Sequence, residues 1–260
     1  MRTTLQTEYA VLSDAGPRHN NEDSYAVNSE RGIYVICDGM GGHAAGERAS
    51  QLAANSIVEH YGENGRSATL SEDPVAQIEE MIRVVREANR TIFNEAMNDL
   101  AVNGMGSTVV CASIHGELLT VAHVGDSRAY LIRERQVYRL TRDHSYVMDQ
   151  VENGLMNEEE ARLSEFSNYL TRALGPFEDM EPDTYQTTIK PDDLIVLGTD
   201  GLCKPVLDDE MAEIALRDSS LEDRCRMLIE AAARNGGTDN VTVLIIHAQP
   251  TRWYSTLLSH

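Results

Sequence analysis

The chain has 260 residues and a formal net charge of −20, and 42% of its residues are hydrophobic. This hydrophobic fraction is enough for a sizeable core and excludes a disordered chain. The acidity, together with the lack of a basic cluster, argues against binding to nucleic acid or anionic lipid. The longest apolar runs, such as 194–197 and 241–246, have the length of strands, so we expect neither a membrane span nor a signal peptide.

The four cysteines form no CxxC pair, and none is followed at the sixth position by arginine; they are Cys37, Cys111, Cys203 and Cys225. Each lies within an apolar or helical stretch. We therefore predict buried, reduced thiols in a cytoplasmic protein. The missing arginine argues against a cysteine-based phosphatase.

The order of the predicted elements indicates the fold class. Taken along the chain, they are strands at 9–13 and 33–37, helices at 44–61 and 74–100, strands at 108–114, 118–124, 129–133, 137–140, 183–189 and 194–197, helices at 208–217 and 221–234, and a strand at 241–248. The four strands between 108 and 140 are separated by short turns, which predicts an antiparallel meander. Long helices that bracket antiparallel strands favour a layered α/β fold over alternating βαβ units.

The stretch from about 141 to 182 is long and weakly apolar, with only short helical pieces. An insertion of this length is consistent with a functional loop or lid. It is equally consistent with a plain connection between strands, and the pattern does not distinguish the two.

Five aspartates lie where apolar strands meet tight turns: Asp23, Asp38, Asp126, Asp200 and Asp239. A single aspartate of this kind is usually a turn former that binds main-chain amides. Five in one chain indicate more, because carboxylates beside buried strands are costly unless they are paired or bound. Carboxylate and carbonyl oxygens are the ligands that Mg²⁺ and Mn²⁺ prefer.

Two features of the sequence could bind phosphate: Arg18 and the glycine-rich segment 38–43. The planar guanidinium of Arg18 can bind two phosphate oxygens, although an arginine near carboxylates is more often a salt-bridge partner. The segment lacks the Lys-Ser/Thr ending of a P-loop and the spacing of a dinucleotide fingerprint. The eight histidines include no HxH or HExxH pair, so a zinc site is poorly supported.

Together these motifs resemble the metal-dependent, type 2C family of protein serine/threonine phosphatases, over roughly residues 9–248. The matching segments occur in the family's order and are Gly16-Pro17-Arg18, Asn21-Glu22-Asp23-Ser24, Asp38-Gly39-Met40-Gly41-Gly42, Gly106-Ser107-Thr108, Val124-Gly125-Asp126-Ser127-Arg128, Gly198-Thr199-Asp200-Gly201-Leu202 and Thr238-Asp239-Asn240-Val241-Thr242. The resemblance implies a four-layer α-β-β-α sandwich of two antiparallel sheets flanked by helices. It also implies one phosphatase domain over 1–250, with a flap at about 141–182 and a C-terminal tail at 251–260.

The resemblance further implies a site for two Mn²⁺ or Mg²⁺ ions. Asp38 would bridge both ions, and the Gly39 carbonyl would bind one of them. Asp200 and Asp239 would bind one ion, and Glu22 the other, partly through water. A water activated by both ions would then attack the phosphorus in line.

Four further residues acquire expected roles from the same resemblance. Asp126 would bind a third, more weakly held metal ion, with Asp200 as a ligand shared between this ion and another. Asp23 and Asn240 would support the ligands without touching the metal, and Arg18 would bind the substrate phosphate.

At position 40 this sequence has methionine. Many eukaryotic members of the family carry there a histidine that is thought to protonate the leaving group. Methionine cannot donate a proton, so the candidates for the acid are a metal-bound water, His43 and His144. The Asp-Gly-Met-Gly-Gly form is familiar from bacterial members, and we expect a bacterial source.

We expect a monomer that acts on phosphorylated proteins, including a serine/threonine kinase and its targets. Two alternatives remain: an inactive binding module of the same fold, and a metal-dependent hydrolase of small phosphoesters or nucleotides. The first would lose metal-ligating aspartates, but Asp38, Asp200 and Asp239 are all present. Only the resemblance argues against the second.

Overall fold

The structure is a computed structural model that describes residues 5–42, 44–62, 71 and 73–250. The expected tail at 251–260, and His43 as a proton donor, lie outside the described residues. No helix within these ranges is both long and apolar enough to cross a membrane.

Eleven strands and seven α-helices form the described part of the chain. The strands are β1 (Leu5–Asp14), β2 (Asp23–Asn28), β3 (Ile33–Met40), β4 (Gly106–Ser107), β5 (Val109–His115), β6 (Leu118–Val124), β7 (Arg128–Arg133), β8 (Gln136–Arg139), β9 (Asp183–Thr188), β10 (Leu194–Gly198) and β11 (Val241–Pro250). The helices are α1 (Ala44–His60), α2 (Pro74–Asn98), α3 (Tyr146–Glu152), α4 (Glu158–Leu163), α5 (Asp200–Cys203), α6 (Asp208–Ala215) and α7 (Leu221–Arg234).

Two antiparallel sheets are built from these strands. The first has the order β1-β11-β10-β7-β8, and the second has the order β2-β3-β5-β6-β9, with β4 paired to β3. Strands β1 and β11, from opposite ends of the described chain, pair from Leu5↔Pro250 to Asp14↔Val241. The two termini of the sandwich are therefore joined along a whole strand.

The predicted meander over residues 108–140 is wrong. Strands β5 and β6 form a hairpin in the second sheet, whereas β7 and β8 form a hairpin in the first. The chain passes between the sheets at Gly125, whose φ is +102°. The error has a physical reason: a strand covered on both faces is a continuous apolar run, so the pattern does not show which sheet it joins.

Three apolar layers hold four layers of secondary structure together, which confirms the α-β-β-α sandwich. Between the sheets lie buried residues such as Tyr34, Ile195 and Leu244. Helices α1 and α2 cover the second sheet, and α6 and α7 cover the first, each over its own buried cluster. Along β3 the alternation is visible, because Val35 faces the helices while Tyr34 faces the opposite sheet.

The helix boundaries follow local chemistry. Asp73 accepts a hydrogen bond from the Val75 amide at 3.1 Å and caps α2, with Pro74 at its first position. The helix ends at Asn98, two residues before the predicted end, because Asp99 adopts an extended conformation and starts a short 3-10 turn. Strand β2 was not predicted from sequence.

Candidate active site

A cleft of about 540 Å³ opens at the edge of the sandwich where the aspartate-bearing strand ends meet. Eight of the nine predicted site residues line it: Arg18, Glu22, Asp38, Gly39, Asp126, Asp200, Asp239 and Asn240. The ninth, Asp23, is 7% exposed and does not line the cleft. The residues come from both sheets, so the cleft exists only once the sheets have packed.

Asp38 lies within β3, which continues past the predicted end at residue 37 to Met40. The extension exists because Gly39 and Met40 pair with Ser107 and Gly106 of β4. This pairing holds the Asp38 carboxyl at the cleft and leaves its side chain only partly buried.

Glu22 occupies space that two glycines leave open. A Cβ atom on Gly39 would lie 2.7 Å from the Glu22 carbonyl oxygen, and one on Gly46 would lie 1.9 Å from Glu22 Oε2. The Gly39 amide also donates to the Glu22 carbonyl at 3.1 Å. Any larger residue on α1 at position 46 would displace the carboxylate.

Asp200 and Asp239 are brought together by the packing of α5 against the start of β11. A Cβ atom on Gly201 would lie 2.0 Å from the Asn240 carbonyl oxygen, so only glycine permits this approach. The Oδ1 atom of Asp200 is buried and has no hydrogen-bond donor among the described residues.

Asn240 connects the segments that carry Arg18, Glu22 and Asp239. Its amide nitrogen donates to the carbonyls of Ala15 and Asn20 at 3.0 and 2.8 Å. Its amide oxygen accepts from the Glu22 main-chain N–H at 2.8 Å. All three bonds are to main-chain groups, so Asn240 positions the loop before β2 rather than a single side chain.

Asp23 lies beneath the cleft, where Oδ2 accepts hydrogen bonds from the hydroxyls of Thr199 at 2.9 Å and Thr242 at 2.7 Å. Its other oxygen, Oδ1, is buried without a donor among the described residues. Burial raises the pKa of Asp23 to about 7; the two threonines oppose the shift, and nearby Asp200 and Asp239 add to it.

The crowded carboxylates make the cleft an unfavourable place for bare negative charge. Burial at its floor, followed by the charges of Asp23, Asp200 and Asp126, holds the pKa of Asp38 well above its usual range. Burial and Asp200 likewise raise the pKa of Asp126 to about 6, although Lys204 opposes the shift. Such a set of oxygen ligands, with one buried Asp200 oxygen lacking a donor, fits hard divalent cations.

Arg18 lies at the rim of the cleft, where its side chain is 55% exposed. Its Nη2 donates to Asp239 Oδ2 at 2.9 Å, and its Nε donates to the Thr238 carbonyl at 3.0 Å. Arg18 therefore forms the salt bridge with a carboxylate that was one of the two roles expected from the sequence. This contact places the guanidinium beside Asp239 in the wall of the cleft.

Lys204 was not predicted from sequence, although it lies four residues after Asp200. Its ammonium contacts Asp200 Oδ2 at 2.6 Å and Asp126 Oδ2 at 3.1 Å. It also donates to Asn168 Oδ1 at 2.8 Å. The only sequence signal is its rarity, because the chain has two lysines and the other, Lys190, is exposed.

The insertion at 141–182 contributes directly to the cleft. Asn168 and Leu170 line it, and Leu170 forms an isolated β-bridge with Ser145 at the start of the insertion. The Tyr146 amide also donates to the Tyr169 carbonyl at 2.8 Å. The insertion thus folds back on itself and presents one segment, 168–170, to the site.

His144 is 1% exposed and does not line the cleft. Its Nδ1 accepts from the Gly125 amide at 3.2 Å, so Nε2 of the neutral ring carries the proton and faces Asp183 Oδ2 at 3.2 Å. The ring stacks on His123, with centroids 4.7 Å apart. His123, His144 and Asp183 lie close enough together to bind a metal ion. The hydrogen bond from Gly125 and the proton on Nε2, however, leave His144 no lone pair for a metal.

The histidine that lines the described cleft is His19, which was not predicted from sequence.

Comparison with known proteins agrees with this architecture. Residues 11–241 match the family model of protein phosphatase 2C. The serine/threonine phosphatase stp of Listeria monocytogenes is 34% identical over 239 residues, which are 90% of this chain and 93% of that protein. The chain belongs to the protein phosphatase 2C family.

Solved structures of bacterial phosphatases superpose over nearly the whole chain. The catalytic domain of the serine/threonine protein phosphatase PstP, in complex with two manganese ions, has a TM-score of 0.83 and 33% identity, covering 95% of this chain and 100% of that one. Stp1 of Staphylococcus aureus has a TM-score of 0.86 and 29% identity, covering 95% and 97%.

Proposed function

We propose that this protein hydrolyses phosphoserine and phosphothreonine in other proteins, using two Mn²⁺ or Mg²⁺ ions held in the acidic cleft. The observation that carries the proposal is the convergence of five carboxylates from separate segments on one cleft with an arginine at its rim. The named relatives are serine/threonine phosphatases, and PstP was solved with two manganese ions.

The carboxylates divide between the two ions. Asp38 would lie between them, with the Gly39 carbonyl on one. Asp200 and Asp239 would hold one ion and Glu22 the other. Divalent cations in such a site supply the acidification of water and the neutralisation of phosphoryl charge.

The cysteines cannot supply the nucleophile of the reaction. All four cysteines are buried, and burial raises the pKa of each thiol: Cys37, Cys111, Cys203 and Cys225. A protonated, inaccessible thiol cannot form a phosphocysteine. Arg18, held by Asp239, would bind two phosphoryl oxygens and orient the phosphorus toward the cleft floor.

The leaving alkoxide needs a proton, which Met40 cannot give. We propose His19 as the residue to test, because it lines the cleft next to Arg18 whereas His144 is buried outside it. Replacing His19 with glutamine should slow hydrolysis of phosphothreonine peptides more than that of p-nitrophenyl phosphate, whose leaving group needs no acid. Equal slowing of both substrates would leave His19 a binding role only.

The proposed setting is bacterial signalling in the cytoplasm, where a monomer would act on a serine/threonine kinase and on that kinase's targets. Free, buried cysteines suit a reducing compartment. We also propose residues 1–250 as one phosphatase domain with its flap at about 141–182. The full-length pairing of β1 with β11 supports this unit.

The test is hydrolysis of a phosphothreonine peptide by metal-stripped protein, with and without added Mn²⁺. Activity should require the metal and disappear in Asp38→Ala, while Asp179→Ala, which removes a carboxylate 93% exposed, should leave it unchanged. Faster turnover of nucleotides would favour the small-phosphoester hydrolase. A folded, metal-loaded protein that hydrolyses neither substrate would favour the inactive binding module.

A further inference from the structure

The ammonium group of Lys204 lies within hydrogen-bonding distance of three oxygens of the cleft. It contacts Asp200 Oδ2, Asp126 Oδ2 and Asn168 Oδ1 at 2.6, 3.1 and 2.8 Å. A lysine has three N–H donors, and here each finds one acceptor.

The two carboxylates explain why the ammonium is stable there. The side chains of Asp126 and Asp200 are only 5% and 14% exposed, and that of Lys204 is 25% exposed. Burial works against the ammonium, but Asp200 and Asp126 outweigh it and raise the pKa of Lys204. Removing one partner of such a group leaves buried charge uncompensated.

Asp126 and Asp200 are the pair that the family resemblance assigns to a weaker third metal ion. The residues present do not fit that ion. The Lys204 nitrogen already lies between the two Oδ2 atoms, and an ammonium and a divalent cation on the same oxygens would repel each other strongly in a partly buried site.

We propose that Lys204 is a built-in cation that replaces the third metal ion, so that this protein binds two divalent ions rather than three. The inference rests on the proposed two-metal function. The same ammonium ties Asn168 of the insertion to the carboxylates, so Lys204 is also a positioning residue for segment 168–170.

The first experiment counts bound Mn²⁺ per chain from the electron paramagnetic resonance signal of the free ion. Wild type should bind two ions, and Lys204→Met, which keeps the length of the side chain without its charge, should bind a third. Lys204→Arg should bind two, as should Lys190→Met, which removes the other, exposed lysine. Adding Asp126→Asn to Lys204→Met should remove the third ion again.

Three ions in wild type, or two in a Lys204→Met protein shown by circular dichroism to be folded, would overturn the inference. Failure of the proposed function gives a different result, because wild type would then hydrolyse no phosphopeptide, whatever number of Mn²⁺ ions it binds.

A second measurement leaves Lys204 itself unchanged. With ¹³C-labelled lysine and saturating Mg²⁺, the ε-carbon resonance of Lys204 should remain distinct from that of exposed Lys190. Because the chain has only two lysines, both signals are assignable from Lys190→Met. Movement of the Lys204 signal to the position of Lys190 would show that a metal ion displaces the ammonium and would overturn the proposal.

Discussion

Asp38 and Thr108 are joined by two hydrogen bonds that run in opposite directions. The Thr108 amide donates to the Asp38 carbonyl at 2.8 Å, and the Asp38 amide donates to Thr108 Oγ1 at 3.0 Å. The same hydroxyl lies 2.7 Å from Ser127 Oγ. Through one threonine, the strand that carries Asp38 is linked to the turn that carries Asp126.

Replacing Thr108 with valine should impair both stability and activity. Valine has nearly the same shape but accepts no hydrogen bond, so the Asp38 amide and Ser127 each lose a partner. A loss of about 1–3 kcal/mol in the free energy of unfolding is expected for such buried groups, together with lower turnover. Urea unfolding and peptide hydrolysis test this, with Thr108→Ser, which keeps the hydroxyl, as the control. A valine variant equal to wild type in both assays would contradict it.

Gly46→Ala should weaken metal binding although alanine favours a helix. By propensity alone the change would stabilise α1 by about 1 kcal/mol. The new Cβ would lie 1.9 Å from Glu22 Oε2, so the carboxylate must move. We expect the Mn²⁺ dissociation constant to rise about tenfold or more, by analogy with other losses of ligand positioning. Asn55→Ala, on the exposed face of the same helix, should leave it unchanged; equal Mn²⁺ affinity in both variants would disprove the role of Gly46.

Asn240→Asp should also reduce metal affinity, although it adds a negative charge near the ions. The aspartate could still accept from the Glu22 amide, but it would place an oxygen against the carbonyls of Ala15 and Asn20. We expect the affinity for Mn²⁺ to fall by about 10- to 100-fold. Titration with Mn²⁺ measures it, and Asn98→Asp, an exposed site on α2, controls for charge. An unchanged or tighter affinity would show that charge outweighs positioning.

His144 should make the protein less stable as the pH falls from about 6.5 to about 4. Burial, then the neighbouring His123 and Arg172, lower the pKa of His144 to about 4, while Asp183 opposes the shift. The unfolded chain, with a histidine pKa of about 6.5, binds the proton more readily in this window. The stabilisation is therefore complete above pH 6.5 and is lost on acidification.

The measurement compares the free energy of unfolding of wild type and His144→Gln between pH 7.5 and 4.5. Other titrating groups contribute to both proteins, so the difference between them isolates His144. That difference should shrink toward low pH. Two parallel profiles would mean that His144 does not titrate differently in the folded and unfolded states.

Most elements of the fold were predictable because their signals are local. Helix α7 was predicted with both boundaries correct, and α2 was recognised from Pro74 and its apolar period. Strand β2 was missed because it is polar and half-buried, with the pattern Asp-Ser-Tyr-Ala-Val-Asn at the edge of its sheet. The division of β5–β8 between two sheets was missed because β5, β6 and β7 are buried on both faces, and such strands have no distinguishing period.

The sequence by itself determined which residues could meet at the site, because Asp38, Asp126 and Asp200 each follow an apolar strand at a tight turn. Asp239 lies at a turn that leads into the next apolar strand. It also carried the family's ordered motifs, which were enough to expect both the sandwich and the acidic cleft. These signals lie within a few neighbouring residues, where local backbone geometry and burial act directly on the choice of side chain.

Only the tertiary structure decided how the cleft is filled and supported. Lys204 reaches Asp126 and Asn168 across segments far apart in the chain, and Gly46 matters only because α1 packs beside Glu22. No local pattern encodes such contacts, since they depend on which distant surfaces the packed sheets and helices bring within a few ångströms of each other.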